Sequence, residues 1–502
     1  MDPRLRFWLV VLLGTALGVS AAFAIAQENY ALAGLTTAAT LWLLMEWAGG
    51  PRPEAWLMAV ALAGYVVGNR GFAQISVTRA IPLLPAEAVL LAGVAATLLR
   101  MAFRKVGAVR RDVLNYAILA WMLLGAARLW PDIRTYGAVA LRDFATVYYA
   151  LFFFVAQSLA RHATSARLLR AALLAACAVL PFTYFLFTHF ENFFLQTVAV
   201  RGVPLLFYKD DLAAAYLFAG FFLLMTVPDW PRLPRIALAL ASYASAFAIN
   251  SSRAAIMGLV VTSAWWAAAR RWAPWKLQAL AVPLGVGALT VVALVAHGDF
   301  KDSRAYALYE HVASMVDFTG TGRYASEDRR YVGDNNRFRL AWWRSVAEET
   351  WADGPVFGLG FGADLTERFV RNYERDLGED FNTRSPHSIV FTMLGRMGLT
   401  GLAAFLVIVG AMALRTCRLA HVARTDDAAL PALGWWSVSW VMLSSACFGV
   451  VLEGPMGAVV FWTALGLANT TSAELLATSG DGAARDADLR SARPADEVLA
   501  AP

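Results

Sequence analysis

Charge is what this sequence has least of. Only 16% of its 502 residues are Asp, Glu, Lys or Arg, where a soluble protein carries about a quarter. That shortage excludes an ordinary soluble domain. Cysteine is scarce as well: Cys177, Cys417 and Cys447 fall in predicted helices or turns, so neither a disulfide framework nor a metal-type CxxC pair exists. No convincing internal repeat is present, which counts against the matching halves of many flippases and transporters. The net charge of +6 does not point to nucleic acid, because most arginines stand at the ends of apolar runs. What the chain has instead is 59% hydrophobic residues, in repeated runs of about 15–22 separated by short basic loops. This predicts an all-α polytopic membrane protein.

Arg4 and Arg6 precede the first run, Phe7–Ala26. Its Ala22-Phe23-Ala24 triplet faintly resembles a signal-peptide cleavage site, but the run is long and many follow, so a retained helix is expected. The other runs fall near 30–48, 55–69, 85–101, 113–130, 140–160, 167–188, 211–228, 236–250, 254–269, 277–296, 397–414, 432–452 and 456–470. They predict about 12–14 membrane helices, with 236–250 and 254–269 read as a tight hairpin because one helix across both would overshoot a bilayer. Loop charge sets the orientation. With the N-terminus inside, the inner loops collect Arg100, Arg104, Lys105, Arg110 and Arg111, then Arg161, Arg167 and Arg170, then Arg270, Arg271 and Lys276, then Arg415, Arg418 and Arg424. The expected organisation is membrane helices over 1–296, a large extracytoplasmic loop over 297–387, further membrane helices over 388–471, and a disordered cytoplasmic tail over 472–502.

The few basic residues left on the outer side are Arg70, Arg79, Arg134, Arg142, Arg201, Lys209 and Arg253. Arg142 has Asp143 beside it, Arg201 lies in an apolar outer loop with Lys209 close behind, and Arg253 tips the hairpin. A snorkelling arginine accounts for any one of them. Several on one face would make an anion site, since a planar guanidinium grips phosphate bidentately.

The long loop carries its own order. Asp334-Asn335-Asn336 can cap a helix starting near Arg337, with Phe338, Ala341, Trp342 and Val346 at helical spacing and Gly354-Pro355 ending it. Gly358-Leu359-Gly360-Phe361-Gly362 has no preceding strand and no P-loop lysine, so it reads as a backbone turn packed near the membrane. Residues 364–380 are heavily charged and read as a solvated helix. Then comes Ser385-Pro386-His387-Ser388. Serine followed by proline is a helix start, with Ser385 capping and Pro386 at the first position. That puts His387 in the first turn, where the helix dipole favours neutral imidazole and leaves a nitrogen able to take a proton. Alone, such a histidine reads first as a polar side chain wetted at an interface.

Taken together, these pieces resemble the O-antigen ligase and O-antigen polymerase superfamily of bacterial inner-membrane glycosyltransferases. The matching elements are Arg201, Ser252-Arg253-Ala254, Arg337 followed by Trp342, Gly358–Gly362, Pro386-His387-Ser388, Gly395-Arg396-Met397-Gly398-Leu399, and Val451-Leu452-Glu453-Gly454-Pro455. The resemblance implies a GT-C-like membrane fold and an inverting, metal-independent transfer at the periplasmic face of the inner membrane. The donor it implies is a glycan on undecaprenyl pyrophosphate, the acceptor a sugar hydroxyl on a glycan or on lipid A–core. No cofactor is implied. By motif, His387 takes the place of the family's base, and Arg201 and Arg253 the places of its diphosphate-binding arginines. Arg142 and Lys209 join them on charge and topology alone. Trp342, Trp343, Phe357 and Phe361 read as core or as a platform for sugar rings. A polymerase shares this donor chemistry and differs in its acceptor.

The orientation is testable. Single cysteines at Ser326 and Thr425 should label and stay unlabelled, respectively, when intact cells meet an impermeant thiol reagent. The reverse pattern would invert the topology.

Overall fold

The computed structural model describes residues 3–27, 30–47, 49–75, 84–104, 108–200, 202–227, 230–249, 253–269, 327–373 and 384–491. Over these the protein is helical. Among the described residues the only paired strands are Ala199–Val200 and Val203–Pro204, an antiparallel pair with Ala199 opposite Pro204. Among the described residues, five helices are long and apolar enough to cross a membrane: Pro85–Phe103, Val113–Tyr136, Ala138–Ala160, Ala163–His189 and Ile389–Val422. The chain is an all-α polytopic membrane protein. Helices also stand where most of the other apolar runs predicted them; the run at 277–296 lies outside the described residues.

Some of these helices are short because they are central. Asp210–Met225 has 16 residues and is buried without a break from Leu212 to Leu224. It packs against Ala163–His189, Arg232–Ala248, Arg253–Ala268 and Leu430–Ala446. A helix apolar on every side belongs in the middle of a bundle. Small residues let the backbones close in: an added Cβ on Gly258 would lie 2.9 Å from the Val441 carbonyl oxygen, and on Gly466 2.6 Å from that of Phe153. At the start of Val113–Tyr136 a buried polar network joins several helices. Asp112 caps that helix and pairs with Arg415 at 3.1 Å, while Gln157 bridges Asn115 at 2.8 Å and Asn469 at 3.0 Å.

At the other end of Val113–Tyr136, the segment after Asp353 docks on the bundle. The Ile389–Val422 helix is interrupted at Gly398, whose φ is +64°. A break frees backbone groups that a membrane interior cannot solvate. The chain at 355–359 takes them up. Leu399 and Thr400 donate their N–H groups to the carbonyls of Pro355 (2.9 Å) and Val356 (3.2 Å), and Leu359 N–H donates to Gly395 O at 2.7 Å. The two backbones touch at Gly358 and Gly398, both at positive φ; a Cβ on either would come within 2.5 Å of the other's nitrogen.

Three expectations shift. The helix expected to start near Arg337 begins at Glu327 and runs to Asp353, so Asp334-Asn335-Asn336 lies inside it. Within 364–380, Glu367–Tyr373 is helical but not merely solvated: Leu365 and Phe369 are buried against Trp342 and Val346. The last helix, Pro455–Ser491, continues through the boundary expected at 472, in a stretch rich in the good helix formers Ala and Leu.

Gly398→Ala should lower the thermal transition of detergent-solubilised protein, because positive φ alone costs an L-residue about 1–2 kcal/mol and the new Cβ meets the Val356 carbonyl. Gly410→Ala, with nothing within 4 Å on the same helix, is the control. Equal transitions for the two would refute the crossing.

Candidate functional site

The glycine-rich loop holds carboxylates. Phe361 N–H donates to Asp132 Oδ2 at 2.7 Å, and Gly362 N–H to Asp143 Oδ2 at 3.2 Å. Arg396, buried to 3% exposure, pairs with Asp143 at 2.8 Å and donates to the Gly360 carbonyl at 3.2 Å and to that of Ala363. Arg384 donates to Gly362 O at 2.6 Å. This is a clasp joining the loop to three membrane helices, through Asp132, Asp143 and Arg396, and the loop is a backbone turn as expected. Arg142 belongs here: it is exposed and pairs with Asp143 at 3.2 Å.

His387 lies where a different set of elements meets. The Ser385 cap of the Ile389 helix is corrected: the helix starts at Ile389, Ser388 holds the N-cap position without a side-chain bond, and His387 precedes it at φ +52°. The reason is that Ser385 bonds elsewhere. Its Oγ accepts the His387 N–H at 3.4 Å, and its hydroxyl is bonded to the Glu453 carboxylate. Trp343 donates its indole N–H to Pro386 O at 2.7 Å and stacks on Phe391 at 5.1 Å, while the Trp342 ring lies 5.6 Å from the imidazole. A turn fixed at so many points leaves no room for an earlier helical start.

Two cations act on this imidazole. Arg339 stands one turn before Trp342 and Trp343 on the same helix face, and donates to Phe448 O at 2.8 Å. Lys209 immediately precedes Asp210–Met225 and pairs with Asp211 at 3.2 Å. Asn69, buried and also at positive φ (+52°), sets Lys209: its Oδ1 accepts the Lys209 N–H at 3.0 Å. Asn69 follows a π-helical turn, Gly64–Gly68, of the kind found at functional sites. Burial, then Arg339, then Lys209 hold the His387 imidazole down at about 4, against a smaller opposing effect of Asp211. The imidazole is therefore neutral at pH 7, as expected, but burial and neighbouring charge are the causes in place of the helix dipole. Glu453, half-buried between Leu430–Ala446 and Pro455–Ser491, has its carboxyl pushed up by burial, with its bonds to Ser385 and Thr392 pulling the other way.

Of the residues singled out in the sequence, His387 and Lys209 thus come together. Arg253 opens its helix, with its side chain outside the described residues, and Arg201 lies outside them altogether. Trp342 and Phe361 are core, Trp343 is half-buried and Phe357 is 60% exposed. Arg339, Asp211, Asn69 and Glu453 were missed. Arg339 could have been found from its three- and four-residue spacing to the two tryptophans. Glu453 could have been found as the one carboxylate between two apolar runs. Neutral imidazole beside fixed cations can take a proton from a hydroxyl while an anion is held next to it.

Residues 236–406 match a family model described as O-antigen ligase. The match includes Arg253, Arg339, the glycine-rich loop and His387. No curated protein matches the chain.

In protein labelled with ¹⁵N-histidine, the His387 signal, identified by its loss in His387→Gln, should titrate near pH 4. Arg339→Ala should raise that midpoint without restoring the ordinary 6.5, because burial is the larger cause. The sign for stability follows: the unfolded chain binds this proton between about 6.5 and 4 while the fold does not, so His387 withdraws stability as pH falls through that window. A midpoint at 6.5, unmoved by Arg339→Ala, would remove the cations from the site.

Proposed function

Because the chain belongs to the O-antigen ligase and polymerase superfamily, we propose that it moves a glycan from undecaprenyl pyrophosphate to a sugar hydroxyl at the periplasmic face of the bacterial inner membrane. The acceptor is a glycan or lipid A–core, the ligase reaction. The observation that carries this reading is a half-buried histidine, packed against Trp342 and held neutral by its surroundings, Arg339 and Lys209 among them. His387 takes the hydroxyl proton as that oxygen attacks the anomeric carbon. The bond from carbon to the diphosphate oxygen breaks, the lipid diphosphate departs with the electron pair, and the anomeric configuration inverts. Arg339, Lys209, Arg201 and Arg253 hold the diphosphate and stabilise its growing charge. Arg142, bound into the clasp through Asp143, acts at the rim of the loop. The bound diphosphate also offsets the cations that depress His387, so the base strengthens once the donor is in place. The stored energy lies in the sugar–diphosphate bond, and no cofactor enters the step.

The test is turnover of a defined lipid-linked donor by purified enzyme. His387→Gln should lose about 10²–10⁴-fold in rate, the usual worth of a positioned base, and still bind donor. Arg339→Ala, Arg253→Ala and Arg201→Ala should weaken donor binding, with lysine restoring only part because it lacks the bidentate fork. A deletion strain should accumulate long unligated chains on the carrier lipid. Single repeat units there would mark a polymerase, and near-native turnover by His387→Gln would overturn the base.

A further inference from the structure

Glu453 reaches both flanks of His387. Its Oε1 accepts from Thr392 Oγ1 at 2.6 Å, in the first turn of the Ile389–Val422 helix. The same carboxylate is bonded to the hydroxyl of Ser385, two residues before the histidine. Ser385 Oγ in turn accepts the His387 N–H. A carboxylate can accept from two hydroxyls at once, and no neutral side chain of that length offers the same pair of acceptor oxygens. What it straddles is a non-glycine residue at φ +52°, a conformation that persists only where the surroundings over-determine it. The Trp343 indole N–H also fixes the turn, donating to the Pro386 carbonyl. Glu453 itself is carried by the loop between Leu430–Ala446 and Pro455–Ser491, the loop whose Phe448 carbonyl receives Arg339. One loop therefore anchors both the histidine turn and the cation beside it.

We propose that Glu453 is the positioning residue of His387: through Ser385 and Thr392 it holds the left-handed turn that aims the imidazole into the site. The inference rests on the reading of His387 as the base. Misplacing a reacting group by about 1 Å can cost on the order of 10²-fold in rate.

The charged groups acting on the histidine are Arg339, Lys209 and Asp211, and those acting on Glu453 are Arg396 and Lys209. A loss that followed removal of the negative charge alone would mark an electrostatic role. Glu453→Gln keeps an acceptor and the side-chain length, and should stay within about tenfold of native, whereas Glu453→Ala should fall about 100-fold in kcat with the donor KM unchanged. On a His387→Gln background, Glu453→Ala should cost nothing more. The ¹⁵N-histidine spectrum reads position without turnover: in Glu453→Ala the His387 signal should move and its midpoint rise from about 4 as the ring leaves its buried place. Should Glu453→Ala accumulate poorly, Thr392→Val and Ser385→Ala each remove one of the two anchors and should shift the same signal. An unmoved His387 signal in all three variants, or losses that multiply on the His387→Gln background, would overturn the inference. An active His387→Gln with a shifted Glu453→Ala spectrum would instead overturn the base and leave the positioning intact.

Discussion

The rest of the site depends on one exchange of backbone hydrogen bonds. A helix cannot be broken in apolar surroundings unless something receives the groups the break sets free, and at Gly398 the receiver is the chain at 355–359. Because the two backbones meet at Gly358 and Gly398, the loop has one way to lie. That placement delivers the Phe361 and Gly362 amides to Asp132 and Asp143 and puts Arg396 beneath them. It also fixes the short helical stretch from Ile389 to the break, and with it the turn carrying His387.

Backbone strain gathers at the same end of the molecule. Among the described residues, Asn69 and His387 are the non-glycine positions with positive φ, and they lie on distant parts of the chain. Each aims a group at one place: Asn69 holds the Lys209 amide, and His387 presents its own ring. Strain of this kind lasts only where other bonds hold it. Here the holders are the Asn69 side chain itself, the Trp343 indole and the Ser385–Glu453 link. The buried Asp112–Asn115–Gln157–Asn469 network fixes the far end of the bundle, so these bonds act against a rigid support.

The arginines drawn into the structure divide by what they hold. Arg396 and Arg384 direct donors to loop carbonyls and act as parts of the clasp. Arg339 reaches the loop that carries Glu453 and lies close enough to the imidazole to depress it. Sequence reasoning named none of these three as an anion ligand, because it looked for basic residues at the outer ends of apolar runs. Only the partners separate those that tie the protein together from those that face the site.

The sequence by itself determined the membrane class, the positions of nearly all the described helices and the structural nature of the glycine-rich loop. Each follows from local composition: apolar runs need a bilayer or a core, and a glycine cluster without a lysine makes a poor phosphate cradle. Only the tertiary structure decided that the Ile389–Val422 helix is broken and mended from outside, that Ser385 serves Glu453 instead of capping, and that Arg339 and Lys209 are the cations beside the imidazole. Those outcomes join residues from 36 positions apart (Leu359 and Gly395) to 178 (Lys209 and His387). Hydrogen bonds and charge act through space, and no pattern along the chain encodes which distant partner will be near.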